Sequence, residues 1–166
     1  MKEGIVMRSI TYGEVTMQEI VRIIKEHCEK CNAEENRVII GTDSQNFDKT
    51  KIVMVIALHN VGRGGIFFYD ITNLPKITNI KQKLITETQM SLNYATELMD
   101  AFDKLNLETG FDYTNLNFSI HVDAGYFGPT KEVIPEIVGW VKSCGFGCVV
   151  KPQSFVASSI ADKLSK

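Results

Sequence analysis

No apolar stretch in this chain is long enough to cross a bilayer. The longest runs, such as Ile52 to Leu58, fall well short of the ~20 residues a spanning helix needs. The opening Met1-Lys2-Glu3-Gly4-Ile5 lacks the apolar segment and small-residue cleavage site of a signal peptide, so a cytoplasmic location and no membrane partner are expected. An excess of basic charge is also missing: 18 Lys and Arg against 20 Asp and Glu leave a net charge of −2 and a pI near 5.9. Proteins that grip duplex nucleic acid without sequence preference draw affinity from counterion release and are usually basic. Any nucleic-acid role here must therefore rest on a local patch or on metal ions. Cysteine is scarce, with Cys28, Cys31, Cys144 and Cys148 only. Their C-x2-C and C-x3-C spacing has the outline of a zinc site. However, the first pair falls inside a helical pattern and the second straddles a glycine turn, which favours reduced, structural thiols. The C-x-x-C also sits near a helix end rather than at a helix start after a strand, where a redox pair belongs.

What is present is ordinary globular composition, 44% hydrophobic and 23% charged over 166 residues. One domain over 1–166 is expected, with an N-terminal arm and helix over 1–36 and a core over 37–166. Met17, Ile20, Ile23 and Ile24 recur at helical spacing, and Thr16 with Glu19 fits a capping box, predicting a helix from Thr16 to about Cys31. Residues before Thr16 read as a short extended arm. Strands are expected over Val38–Gln45, Lys51–Asn60 and Gly65–Thr72, joined by connections short enough for an antiparallel meander. A long helix follows over about Ile80–Leu107, then a strand Leu116–Asp123 and a helix Pro129–Ser143. Pro135 should bend that helix or delay its start. A short strand Phe146–Val150 and a final helix Ser154–Leu164 complete an α/β sandwich with a mixed sheet.

Carboxylates stand at odd places in this pattern. Asp43 follows the apolar run Val38-Ile39-Ile40, and Asp123 ends the alternating strand Asn117–Asp123 before a glycine-rich turn. On neighbouring strands two such acids repel strongly and call for a cation or a shared proton. In the long helix Glu87 lies at the edge of the packed stripe, whereas Glu97 is on the wet side. In the last helix Asp162 shares a face with Phe155, Ser158 and Ser159.

Four acids in the order Asp43, Glu87, Asp123, Asp162, on strand, helix, strand and helix, resemble the ribonuclease H-like superfamily. The stretches GTDSQ (41–45), HVDAG (121–125), GPTKEVIPEIVGWV (128–141), GFGCVVKP (145–152) and ASSIADKL (157–164) are similar to the bacterial YkuK family within it. The resemblance covers roughly Thr16 to the C-terminus. It implies a three-layer ribonuclease H-like sandwich: a five-stranded mixed sheet, its first three strands antiparallel, with helices on both faces and here an extra N-terminal helix. It also implies that Asp43, Glu87, Asp123 and Asp162 hold Mg²⁺ or Mn²⁺, with two ions expected alongside substrate. The first strand carries a single acid in Asp43-Ser44-Gln45, where proofreading exonucleases carry two. That favours a ribonuclease H or resolvase-like arrangement.

Hard divalent cations suit oxygen ligands gathered from separate elements. Two of them about 3.5–4 Å apart can activate a water and stabilise the leaving oxygen of a phosphodiester. The expected activity is nuclease cleavage of RNA, RNA–DNA hybrid or branched DNA. A non-catalytic nucleic-acid-binding or scaffolding module is the alternative, favoured by the acidic balance. Around the acids, His121 is either a hydrogen-bonded core histidine or a group that orients a ligand or the attacking water. Thr130 and Lys131 would meet a phosphate if a helix began at Gly128-Pro129-Thr130-Lys131, or Thr130 would simply cap it. Gln45 could bond a sugar or base edge or end the strand. Lys151 and Lys163 add local positive charge.

Overall fold

The computed structural model describes residues 4–154, and their elements share one seven-stranded sheet. In chain order these are β1 (Val6–Ser9), β2 (Gly13–Thr16), α1 (Met17–Cys31), β3 (Asn36–Asn46), β4 (Thr50–Asn60), β5 (Gly64–Leu74), α2 (Ile80–Thr109), β6 (Asn117–His121), α3 (Ile134–Ser143) and β7 (Gly147–Val149). The strand order is β2-β1-β5-β4-β3-β6-β7. β3, β4 and β5 are an antiparallel meander, while β3–β6 and β6–β7 pair in parallel, so the sheet is mixed as expected.

Seven strands replace the expected five. The additional two come from the segment read as an extended arm, which folds into the β1–β2 hairpin and meets β5 at the single pair Arg8–Tyr69. Its tight turn is held by the Ser9 hydroxyl, which accepts the N–H groups of Thr11 and Tyr12 at 3.2 Å each, and by Gly13 at φ 73°. Each strand is only four residues long and places Arg8 and Glu14 among its members. Alternation over so short a span is easily missed.

β4 shows why the central run is apolar throughout. Every residue from Ile52 to Leu58 is buried, as a strand covered on both faces requires. Met54, Ile56 and Leu58 join the core under the helices, and Val53, Val55 and Ala57 cluster on the opposite face with Phe67, Tyr69 and Ile71. α1, α2 and α3 all feed the first cluster. The helix expected over Ser154–Leu164, which would supply the second helical layer, lies outside the described residues from 155 onward.

The capping box of α1 forms: the Thr16 hydroxyl accepts the Glu19 N–H at 3.2 Å, and the Glu19 carboxylate accepts the Thr16 N–H at 3.2 Å. α3 starts at Ile134 rather than Pro129. Pro135 sits in its first turn, where the missing N–H has no intrahelical partner to lose, so the proline delays the helix instead of bending it. Among the described residues no helix is long and apolar enough to cross a membrane.

Candidate functional site

β3 and β6 run in parallel register, with Gly41 beside His121 at the last pair. Two residues further along each chain stand Asp43 and Asp123. Parallel strands lie about 4.8 Å apart; β6 ends at His121, so Asp123 lies just past the paired register, in the segment that continues beside the β3 stretch carrying Asp43. Beyond that pair a cavity of about 230 Å³ is lined by Asp43 and Ser44 from β3, Lys83 and Glu87 from α2, and Asp123 and Lys151 from the segments after β6 and β7.

Glu87 reaches the cavity from the buried stripe of α2, between Leu84 and Ser91, and is only 7% exposed. On β3 Val38 and Ile40 point into the shared core, and Thr42 and Ser44 continue that face against Glu87. The Ser44 hydroxyl donates to the Glu87 carboxylate. Thr42 donates to the Glu87 carbonyl oxygen at 3.1 Å and hydrogen bonds the Ser91 hydroxyl. Burial pushes the Glu87 carboxyl up to about 7; the bond from Ser44 and the charge of Lys83 pull down, while Asp43 and Asp123 push it further up. At neutral pH this acid is therefore poised between charged and neutral forms, chiefly because burial disfavours its charged form and secondarily because Asp43 and Asp123 are near.

Asp123 is compensated differently. The Lys151 ammonium lies 3.2 Å from its carboxylate. The contact is fixed through the backbone: the Val122 N–H donates to the Val149 carbonyl at 2.8 Å, and the Lys151 N–H donates to the Ala124 carbonyl at 2.9 Å. His121, one residue before Val122, is buried, and burial pushes its imidazole down to about 4, so it is neutral near pH 7. It borders a pocket of about 10 Å³ shared with Glu87, Ser91 and Asp123, roughly the room of one water.

A family model described as "Ribonuclease H-like" matches residues 18–166. A full-length relative, the uncharacterized protein YkuK of Bacillus subtilis (strain 168), is 30% identical over 174 residues, covering 100% of both chains. This chain belongs to the YkuK family of ribonuclease H-like proteins. No solved structure matches it. The ribonuclease H-like match begins at Gln18, just after the β1–β2 hairpin, so the two unexpected strands precede the matched segment. Among the described residues the strands within the matched segment run β5-β4-β3-β6-β7.

Of the acids this YkuK-family chain was expected to gather, Asp43, Glu87 and Asp123 line the same cavity. Asp162 lies outside the described residues. Among the described residues no three His, Cys, Asp or Glu side chains are close enough to form a ready metal-binding group. Thr130 is buried in the cavity wall, whereas Lys131 is exposed and away from the lining. Neither sits at a helix N-terminus, because 128–133 is a turn closed by the Val133 N–H on the Thr130 carbonyl at 3.0 Å. The anion site and the Thr130 cap expected there are thus corrected, since α3 begins at Ile134 with no side-chain cap. Gln45 is half-buried opposite Lys51 on β3 and does not line the cavity. Two members escaped the sequence reading. Lys83 is one turn before Glu87, an i,i+4 pair visible in sequence, and Ser44 continues the alternation from Thr42.

Proposed function

We propose that this YkuK-family protein is a divalent-metal-dependent nuclease hydrolysing phosphodiester bonds of RNA, RNA–DNA hybrid or branched DNA. One observation carries the reading: Asp43, Glu87 and Asp123, from three separate elements, line a single cavity. The donor set fits Mg²⁺ or Mn²⁺, since it offers carboxylate oxygen without sulfur, and a buried Glu87 with Asp43 and Asp123 near it would gain from a cation. Asp43, Glu87 and Asp123 would hold the metal, with Asp162 as the fourth ligand implied by the family. Bound there, divalent ions would activate a water and neutralise the leaving oxygen.

The protein's own side chains do the rest. Ser44 fixes the rotamer of Glu87 by donating to its carboxylate, and Lys83 and Lys151 supply positive charge for a substrate phosphate in an otherwise acidic protein. Thr130 closes one wall. His121 is neutral and so can orient a water without adding charge. The test is cleavage of a panel of RNA, RNA–DNA hybrid and four-way-junction DNA with Mn²⁺, alongside a ribonuclease H control. Cleavage by the native protein and none by Asp43→Asn is expected; no cleavage by either while the control cuts rejects the enzyme. The pI near 5.9 favours a second reading, a non-catalytic ribonuclease H-like module. Mn²⁺ binding without turnover of any substrate would select it.

A further inference from the structure

We propose that Lys151 is a tethered cation that holds Asp123 in the metal-free protein and competes with the divalent ion for that carboxylate. The inference rests on the metal site proposed above and adds a residue that sets how much metal the site requires.

Three independent features place Lys151 there. The chain around it is bound to the segment after β6 by the Val149–Val122 and Lys151–Ala124 backbone bonds, and the Ser154 hydroxyl donates to the Val122 carbonyl at 2.7 Å. Gly125 permits the close approach, since a Cβ at that position would come within 3.1 Å of both the Lys151 Cβ and its carbonyl oxygen. The ammonium then meets Asp123 at 3.2 Å, inside the cavity that Asp43 and Glu87 also line. The backbone of Lys151 is thus pinned while its side chain is 55% exposed, against 25% for Asp123. An exposed ammonium on a flexible stem holds its partner weakly and can swing into water.

Charge makes the two states exclusive. Without metal, Lys151 supplies the positive charge that a half-buried carboxylate needs. With a divalent ion on Asp123, an ammonium at 3.2 Å would face a like charge in the same small space. Lys151 must then turn outward, where a phosphate oxygen is its natural partner.

The experiment is calorimetric titration with Mn²⁺ alone on the native protein, Lys151→Gln, Lys151→Arg and Lys83→Gln. Lys83 is the control, because it lines the same cavity without a salt bridge to Asp123 among the described residues. Loss of the competing ammonium should tighten Mn²⁺ binding roughly fivefold in Lys151→Gln, with the gain shrinking as salt is raised. Lys151→Arg should stay near the native affinity. Equal affinity of Lys151→Gln and native protein, both folded by circular dichroism, overturns the inference alone. So does an equal gain in Lys83→Gln, which would mean a general field effect. Absence of Mn²⁺ binding in all four proteins overturns both the inference and the metal site it rests on.

Discussion

The two halves of α2 bury the same helical stripe against the same sheet but fill it with different chemistry. From Ala95 onward the stripe is Ala95, Leu98, Ala101, Phe102 and Leu105, and Phe102 stacks on Tyr113 at 5.4 Å between centroids and meets Phe118 edge-on at 5.7 Å. Towards the N-terminus the same positions read Leu84, Glu87, Thr88 and Ser91, facing Thr42 and Ser44 of β3. The aromatic half needs only area and shape. The polar half spends core positions on groups that each require a partner, and one of them is a carboxyl pushed up to about 7. A fold seeking stability alone would not place an acid there. The difference separates the part of the helix that only packs from the part that carries the proposed site.

Substitutions should divide along the same line. Phe102→Ala, in the aromatic half, should cost the most, about 3–5 kcal/mol in a urea melt, while Mn²⁺ affinity measured below the transition stays native. Glu87→Gln should act in the opposite sense. Folding raises the Glu87 carboxyl from its ordinary 4.5 to about 7, so its contribution favours the folded state fully below pH 4.5 and is lost as pH rises through 7. In metal-free buffer the glutamine variant should therefore match the native protein near pH 4 and exceed it by roughly 3 kcal/mol at pH 8. It should also lose Mn²⁺ binding. A native protein whose stability does not fall between pH 5 and 8 would erase the contrast. Ser44→Ala removes a donor to the carboxylate, so the midpoint of that pH dependence should move upward, with a cost of about 1 kcal/mol at neutral pH. Arg22→Ala breaks a half-exposed ion pair to Glu108 near the far end of α2 and should change stability by less than ~0.5 kcal/mol.

The sequence makes some of this division legible and hides the rest for physical reasons. β3, β4 and α2 are long enough for their periods to stand out, and the Thr16–Glu19 box marks the start of α1 to the residue. The hairpin β1–β2 was hidden because four-residue strands with charged members leave no clear alternation. The start expected for α3 falls five residues early because a turn containing Pro129 and Lys131 has the composition of a first helical turn. Asp43 and Asp123 are legible as acids set oddly after apolar runs, although β3 continues to Asn46 and β6 ends at His121; the parallel pairing of β3 and β6 that brings their segments together comes from the structure. The depth of Glu87 was not: its spacing put it at the edge of the stripe, and only the opposing Ser44 shows how far inside it lies. Lys151 could be noted as a charge, but its bond to Asp123 depends on the backbone pairing of residues 122–124 with 149–151.

The central claim is that Asp43, Glu87 and Asp123 act as one cation-binding group. A crystal grown in saturating Mn²⁺ and measured at the manganese edge tests it most directly. An anomalous peak is expected inside the cavity within ligand distance of Asp43 and Asp123, with the Lys151 ammonium turned away from Asp123. An empty cavity at saturating Mn²⁺, with the Asp123–Lys151 bond intact, would contradict it.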